Sequence, residues 1–298
     1  FTEEDLGNIF RDTHRIGAWV ANYDELLDRR LLEEQGVRVI RYEQNATHGR
    51  NLVISSTDSN AFLEASLREK VVDILDVTAA DPLVMPIVQR MMTDANQLSG
   101  GLVLKAARRL RNTHELIGCV LSKFILEQQI AGAGIGNAWC MLDDYARWLG
   151  KRPETGVADI LSLTPIIDAD GNRHLEVLVS EAKFIDYAAL AESKKKSERQ
   201  LVDTVKQLHR STDPSLATLD GALILARLSE LLANNLRSQQ FLGAEEWKAA
   251  IRAGNCSIRV RGYSHIFCHG PKSHLSQRHE FTMCPRADGT ESYQEVFN

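Results

Sequence analysis

ADILSLTPIIDADGNRHLEVLVSEAK, running from Ala158 to Lys183, is the stretch on which the fold turns. Two apolar, β-prone segments flank Asp168-Ala169-Asp170-Gly171-Asn172, and Asp-Gly between such runs is the strongest short-range hairpin signal. Closing the turn around Asp170 sets Ile167 opposite Arg173 and Asp159 opposite Glu181. Directly opposed residues have Cβ atoms about 4.5 to 5.5 Å apart, where like charges repel, so a positive group is expected between the acids. Lys183 returns to the face of Glu181 about 6.6 Å further along the strand. A shorter loop would shift the pairing by one and set Ser180 against Asp159, and Pro165 is where a bulge could do this.

The acids sit in apolar surroundings. Leu175, Val177 and Val179 precede Glu181 on its own face while Leu178, Ala182 and Phe184 occupy the other, so this strand reads as buried on both sides. Buried carboxylates are costly unless they are paired or bound to a metal. The hairpin alone therefore leaves two readings open: a divalent cation with oxygen ligands, or a cross-strand salt bridge between Lys183 and either acid.

Two helices flank this hairpin in the chain. Leu116, Ile117, Val120, Leu121, Phe124 and Ile125 recur at helical spacing after Asn112-Thr113-His114-Glu115. Glu115 stands in the first turn, where it could join an acidic cluster or close a capping-box pair with Asn112. After the hairpin, Lys194-Lys195-Lys196-Ser197-Glu198-Arg199-Gln200 leads into a helix carrying Leu201, Val205 and Leu208 on one face. The lysine run reads as a solvated helix entry or, beside an acid-bound metal, as a cradle for a polyanionic backbone.

The order Glu115, Asp159, Glu181, Lys183, Gln200 resembles the PD-(D/E)xK nuclease superfamily of restriction enzymes, RecB-type nucleases and archaeal Holliday-junction resolvases. In that family a helix bearing an acid precedes strands carrying Asp and Glu-x-Lys, and a second helix, often bearing a Gln, follows. The resemblance covers about the middle third of the chain. Ala158 replaces the Pro that often precedes the Asp, and the first core strand is expected near Trp139 to Tyr145, where Asp143 and Asp144 offer a further acid. Glu115-Leu116-Ile117-Gly118, Ser197-Glu198-Arg199-Gln200-Leu201 and the wording around Tyr23-Asp24 and Ile40-Arg41-Tyr42 are similar to nuclease segments attached to HerA/FtsK-type ATPases of bacterial restriction and anti-phage defence.

The resemblance implies a restriction-endonuclease-like mixed sheet flanked by helices and a Mg²⁺-dependent deoxyribonuclease, with Mn²⁺ as substitute. It implies that Asp159, Glu181, the carbonyl of Ala182 and Glu115 hold the metal. Lys183 would orient a water and stabilise the phosphorane-like charge, and Gln200 would position the backbone or Lys183. Lys194, Lys195, Lys196 and Arg199 would meet DNA, and a translocating ATPase would be the partner. A homodimer or higher oligomer is expected, because one site that cuts both strands needs a second copy. The alternative is a non-cleaving DNA-binding or scaffold domain of the same fold that docks the motor.

The remaining sequence narrows the choice. The chain has 298 residues, 44% of them hydrophobic, and a net charge of -5. This length suffices for one large core or two smaller ones, and the charge does not advertise a nucleic-acid binder, though a local basic groove matters more than the total. Five scattered cysteines argue for a reducing cytoplasm rather than a disulfide framework. No apolar run approaches the roughly 20 residues that span a bilayer, and no signal peptide opens the chain. It begins at Phe1 and reads as a piece of something longer.

Gly132-Ala133-Gly134-Ile135-Gly136-Asn137 lacks the Lys-Ser/Thr ending of a phosphate loop, and there is neither a Gly-x-Ser-x-Gly elbow nor a His-Glu-x-x-His helix. Cys268, His269, His274, His279 and Cys284 do not have the Cys-x2-4-Cys spacing of structural zinc sites. An N-terminal α/β unit is expected over 1–98. In it Ala18 to Ala21, Val37 to Arg41 and Leu52 to Ser55 are strands, and Asp24 to Glu34 and Phe62 to Leu75 are helices. A hinge at Ser99-Gly100-Gly101 leads into a nuclease-like part over 99–298. Helices are expected over 86–97, 220–236 and 245–253, and a strand over 257–269.

Overall fold

The computed structural model describes residues 3–17, 19–24, 38–45, 50–56, 61–99, 102–103, 106, 111–130, 136–142, 145, 149, 156–213, 218–236, 243–270, 280–284 and 290–297. It divides into two compact units, Phe1–Leu116 and Ile117–Asn298. Of the helix expected over Asp24 to Glu34, Asp24 instead ends a strand and the rest falls outside the described residues, as do the acids Asp143 and Asp144, and His274 and His279.

In the first unit, α1 (Glu3–Ile16) precedes β1 (Trp19–Asp24), β2 (Arg38–Asn45) and β3 (Arg50–Ser56). The strands form an antiparallel sheet in the order β1-β3-β2, with a register shift between Val39 and Arg41. Two helices follow, α2 (Ala61–Leu75) and α3 (Val84–Leu98). Val84, Val88, Met91, Ala95 and Leu98 recur at helical spacing along α3 and are all buried, as are Leu67 and Val71 of α2. The Asp81 carboxylate accepts the Leu83 N–H at 2.9 Å just ahead of α3.

In the second unit, α4 (Arg111–Gln129), whose first residues belong to the first unit, is followed by β4 (Ala138–Met141), β5 (Ile160–Ile167) and β6 (Arg173–Asp186). Then come α5 (Leu190–Thr212), α6 (Leu219–Asn235), α7 (Ala244–Arg252), β7 (Ser257–His269), β8 (Glu280–Met283) and β9 (Glu291–Phe297). The strands make one mixed sheet in the order β4-β5-β6-β7-β9-β8. β4, β5 and β6 are antiparallel neighbours, β6-β7 and β7-β9 are parallel, and β8 runs antiparallel to β9. The chain is thus mixed α/β, with a six-stranded mixed sheet flanked by helices.

The β5-β6 register runs from Ile167 opposite Arg173 to Ile160 opposite Ser180, with no shift. Asp168 sets it. Its carboxylate accepts the N–H groups of Asp170 at 3.0 Å and Asn172 at 2.8 Å, the Asn172 amide at 3.1 Å and the His174 ring at 2.8 Å. Gly171 takes the positive φ of 82° that the turn requires. Pro165 causes no bulge because β4 covers only Ile160–Leu163, so no ladder bond to β4 is lost there.

The two faces of the sheet differ. Leu175, Val177 and Val179 of β6 join Leu201, Val205 and Leu208 of α5 in the apolar core. Gly262 of β7 lets α5 come close, since a Cβ there would lie 2.5 Å from Val205 Cγ2 and 3.0 Å from Leu201 Cδ1. Under α4 the face is polar: Ser122 Oγ lies 2.6 Å from Ser180 Oγ and 2.7 Å from His265 Nδ1, and all three residues are fully buried.

Candidate active site

β5 begins at Ile160, paired with Ser180, so Asp159 and Glu181 are the residues next outward on the two chains. Asp159 leaves the ladder. Its carbonyl accepts the Leu142 N–H at 2.8 Å, and its Oδ2 accepts the Ala182 N–H at 2.8 Å. The carboxylate is thus pinned to the strand that carries Glu181 and Lys183. In a strand the N–H and C=O of one residue point to the same side, so Ala182 also turns its carbonyl toward Asp159.

Glu181 and Lys183 share the α5 face. Glu181 is wholly buried, and Lys183 Nζ is in ion-pair contact with its Oε1 and 3.9 Å from Asp159 Oδ2. Burial by itself would push the Lys183 ammonium down. The charges of Asp159 and then Glu181, with the Glu181 hydrogen bond, outweigh burial and hold it above the ordinary lysine value of 10.5. Lys183 therefore stays protonated at neutral pH. Two carboxylates and one ammonium leave this cluster one negative charge.

α5 buttresses the segment that delivers Asp159. Thr204 Oγ accepts the Ala158 N–H at 3.1 Å and donates to the Gln200 carbonyl at 2.7 Å, and both Thr204 and Ala158 are fully buried. The Gln200 amide reaches the Val157 carbonyl at 3.5 Å, over Gly156, where a Cβ would lie 2.3 Å from Gln200 Nε2. Gln200 thus meets the backbone leading to Asp159. On the far side of Glu181, Ser264 of β7 pairs with it in register and is bonded to Ser197 of α5 at 2.6 Å and to the Gln294 amide at 3.3 Å.

Asp159, Glu181, Ala182 and Lys183 are brought together, with Gln200 just behind them. α4 begins at Arg111, so Glu115 stands beyond its first turn, half-buried and within the first unit. Lys195, Lys196 and Arg199 are exposed on α5, opposite its buried residues Ser197, Leu201, Thr204, Val205 and Leu208. Lys194 is tied down: its ammonium lies 2.6 Å from Glu280, and its carbonyl accepts the Gln294 amide at 3.0 Å. Thr204, Ser197, Ser264 and Gln294 escaped the sequence reading. Only Thr204 had a signal, standing one helical turn after Gln200 on the apolar side of α5.

Among the described residues no group of three or more His, Cys, Asp or Glu could hold a metal ion. The donors of Asp159 and Glu181 are carboxylate oxygens, with a carbonyl turned to the same side. Mg²⁺ keeps several waters and binds through one or two carboxylates, so this sparse set fits it in donor type and number. Among the described residues no helix is long and apolar enough to cross a membrane. No family model matches the chain, and neither does any curated protein or solved structure.

Proposed function

We propose that this chain is a metal-dependent nuclease module of the PD-(D/E)xK type that hydrolyses phosphodiester bonds in DNA. The observation that carries the reading is the convergence of Asp159, Glu181 and Lys183, with the Ala182 N–H on Asp159, at the end of a buried hairpin. The element order supports it too. α4 comes first, then Asp159 stands immediately ahead of β5, β6 carries Glu-x-Lys, and α5 bears Gln200.

Asp159 and Glu181, with the Ala182 carbonyl, would hold Mg²⁺ or Mn²⁺. Bound there, the ion supplies Lewis-acid polarisation of the phosphate and a lowered pKa for its water. Lys183, held protonated by the two acids, is a poor general base. It acts instead as a fixed positive donor that orients water and stabilises the charge growing on the phosphate oxygens. Gln200 and Thr204 are positioning residues that hold Gly156 to Ala158 and so aim Asp159. Lys195, Lys196 and Arg199 present a basic strip to the DNA backbone. A second copy of the chain serves the opposite strand, and an ATPase translocase elsewhere delivers the DNA.

One observation favours a second reading, a non-cleaving domain of this fold that docks a motor: Lys183 already satisfies the charge of Glu181. Supercoiled plasmid incubated with Mg²⁺ or Mn²⁺ separates the two. Nicking or linearisation by wild type, lost in Lys183→Ala and Asp159→Ala, supports the nuclease. Equal cleavage by wild type and Lys183→Ala would sink the assigned mechanism, and a well-folded wild type that leaves the plasmid intact would favour the docking domain.

A further inference from the structure

Glu181 is the better buried of the two acids, and the Lys183 ammonium stands on it rather than on Asp159. We infer that Lys183 and a divalent cation contend for the same Glu181 carboxylate, so that cation binding displaces the ammonium from Glu181. The inference rests on the cation-site reading proposed above and deepens it by making Lys183 the regulator of that site's occupancy.

Three features carry it. Glu181 is fully buried and Lys183 sits in ion-pair contact with its Oε1, so the ammonium already occupies an oxygen a cation would use. A doubly charged ion on Asp159 and Glu181 would turn the cluster's single negative charge positive if the ammonium stayed. Two cations within a few ångströms repel strongly where water is scarce. Finally, the Lys183 side chain keeps 25% of its surface exposed and hangs from a flexible four-carbon stem, so its head has a route away from Glu181. The loaded cation thereby makes the ammonium available to the substrate phosphate, and the two positive charges reach the phosphate together.

The counterintuitive consequence is that the lysine the reaction needs weakens binding of the ion the reaction needs. Isothermal titration of the full chain with Mn²⁺ alone tests this in wild type, Lys183→Met, Lys183→Arg, Glu181→Gln and the Lys183→Met/Glu181→Gln double variant. Lys183→Met should bind Mn²⁺ about tenfold more tightly than wild type, a change equivalent to about 1.4 kcal/mol. Lys183→Arg, which keeps the charge, should stay near wild type. Glu181→Gln should lose binding in both backgrounds.

If wild type binds Mn²⁺ and Lys183→Met binds it equally or less tightly, the competition is wrong while the cation site stands. If neither binds through Glu181, both fall. Should Lys183→Met fail to fold, wild type alone decides: acetylation of Lys183, read by mass spectrometry against Lys195 as internal standard, should accelerate when Mn²⁺ is added. An unchanged or slower rate overturns the inference.

Discussion

Replacing Thr204 by Val removes one hydroxyl from a site that otherwise keeps its shape, and the structure sets the size of the effect. Thr204 Oγ accepts the Ala158 N–H at 3.1 Å, and both residues are fully buried. Valine leaves that N–H without an acceptor and out of reach of water, which costs about 1 to 3 kcal/mol. For a unit the size of Ile117–Asn298, each kcal/mol corresponds to about 2 to 4 °C in melting temperature. Thr204→Val should therefore melt about 2 to 12 °C below wild type by calorimetry, while Thr204→Ser, which keeps the oxygen, should recover most of the difference. Because Ala158 precedes Asp159, plasmid cleavage should fall in Thr204→Val at temperatures where the protein is still folded, with serine restoring it. The reasoning fails if valine melts within a degree of wild type, or if serine is as damaging as valine.

Other consequences are equally direct. Gly262→Ala would place a Cβ 2.5 Å from Val205 and 3.0 Å from Leu201, so it should destabilise the unit by about 1 to 3 kcal/mol through overpacking; urea denaturation reads this. Hydrogen bonds from His174 and Asn172 hold the Asp168 carboxyl below its ordinary value of 3.8. A carboxyl lowered on folding contributes stability above its unfolded value and loses it as pH falls through the folded one. Wild type should therefore be more stable than Asp168→Ala at pH 7, and the gap should close progressively below pH 3.8; thermal melts across that range check it. Burial pushes the Cys256 and Cys284 thiols up to about 11, so both should resist Ellman's reagent at pH 8 in the native chain and react promptly in urea.

What the sequence revealed of this molecule was its local chemistry. The hairpin register was legible because one face of each strand must be buried and the turn leaves little freedom, so Ile167 meets Arg173 as the pattern requires. β7 occupies Ser257–His269, the range its alternation implies, and α6 and α7 lie within one residue of theirs. Long-range partners were not legible. Nothing in β1, β2 or β3 announces the order β1-β3-β2, because strand patterning encodes burial and not neighbours. Lys194 reads as the start of a solvated basic run, yet its partners Glu280 and Gln294 lie far along the chain. The polar residues under α4 were hidden likewise, since Ser122, Ser180 and His265 acquire meaning only when the helix crosses the sheet.

The claim on which the functional account rests is that Asp159 and Glu181 together grip a divalent ion. Anomalous diffraction from a crystal soaked in Mn²⁺ addresses it most directly. The account predicts a peak within about 2.6 Å of carboxylate oxygens of both residues, with the Lys183 ammonium moved off Glu181. A soaked crystal with no peak there, and with Lys183 still seated on Glu181, would contradict it.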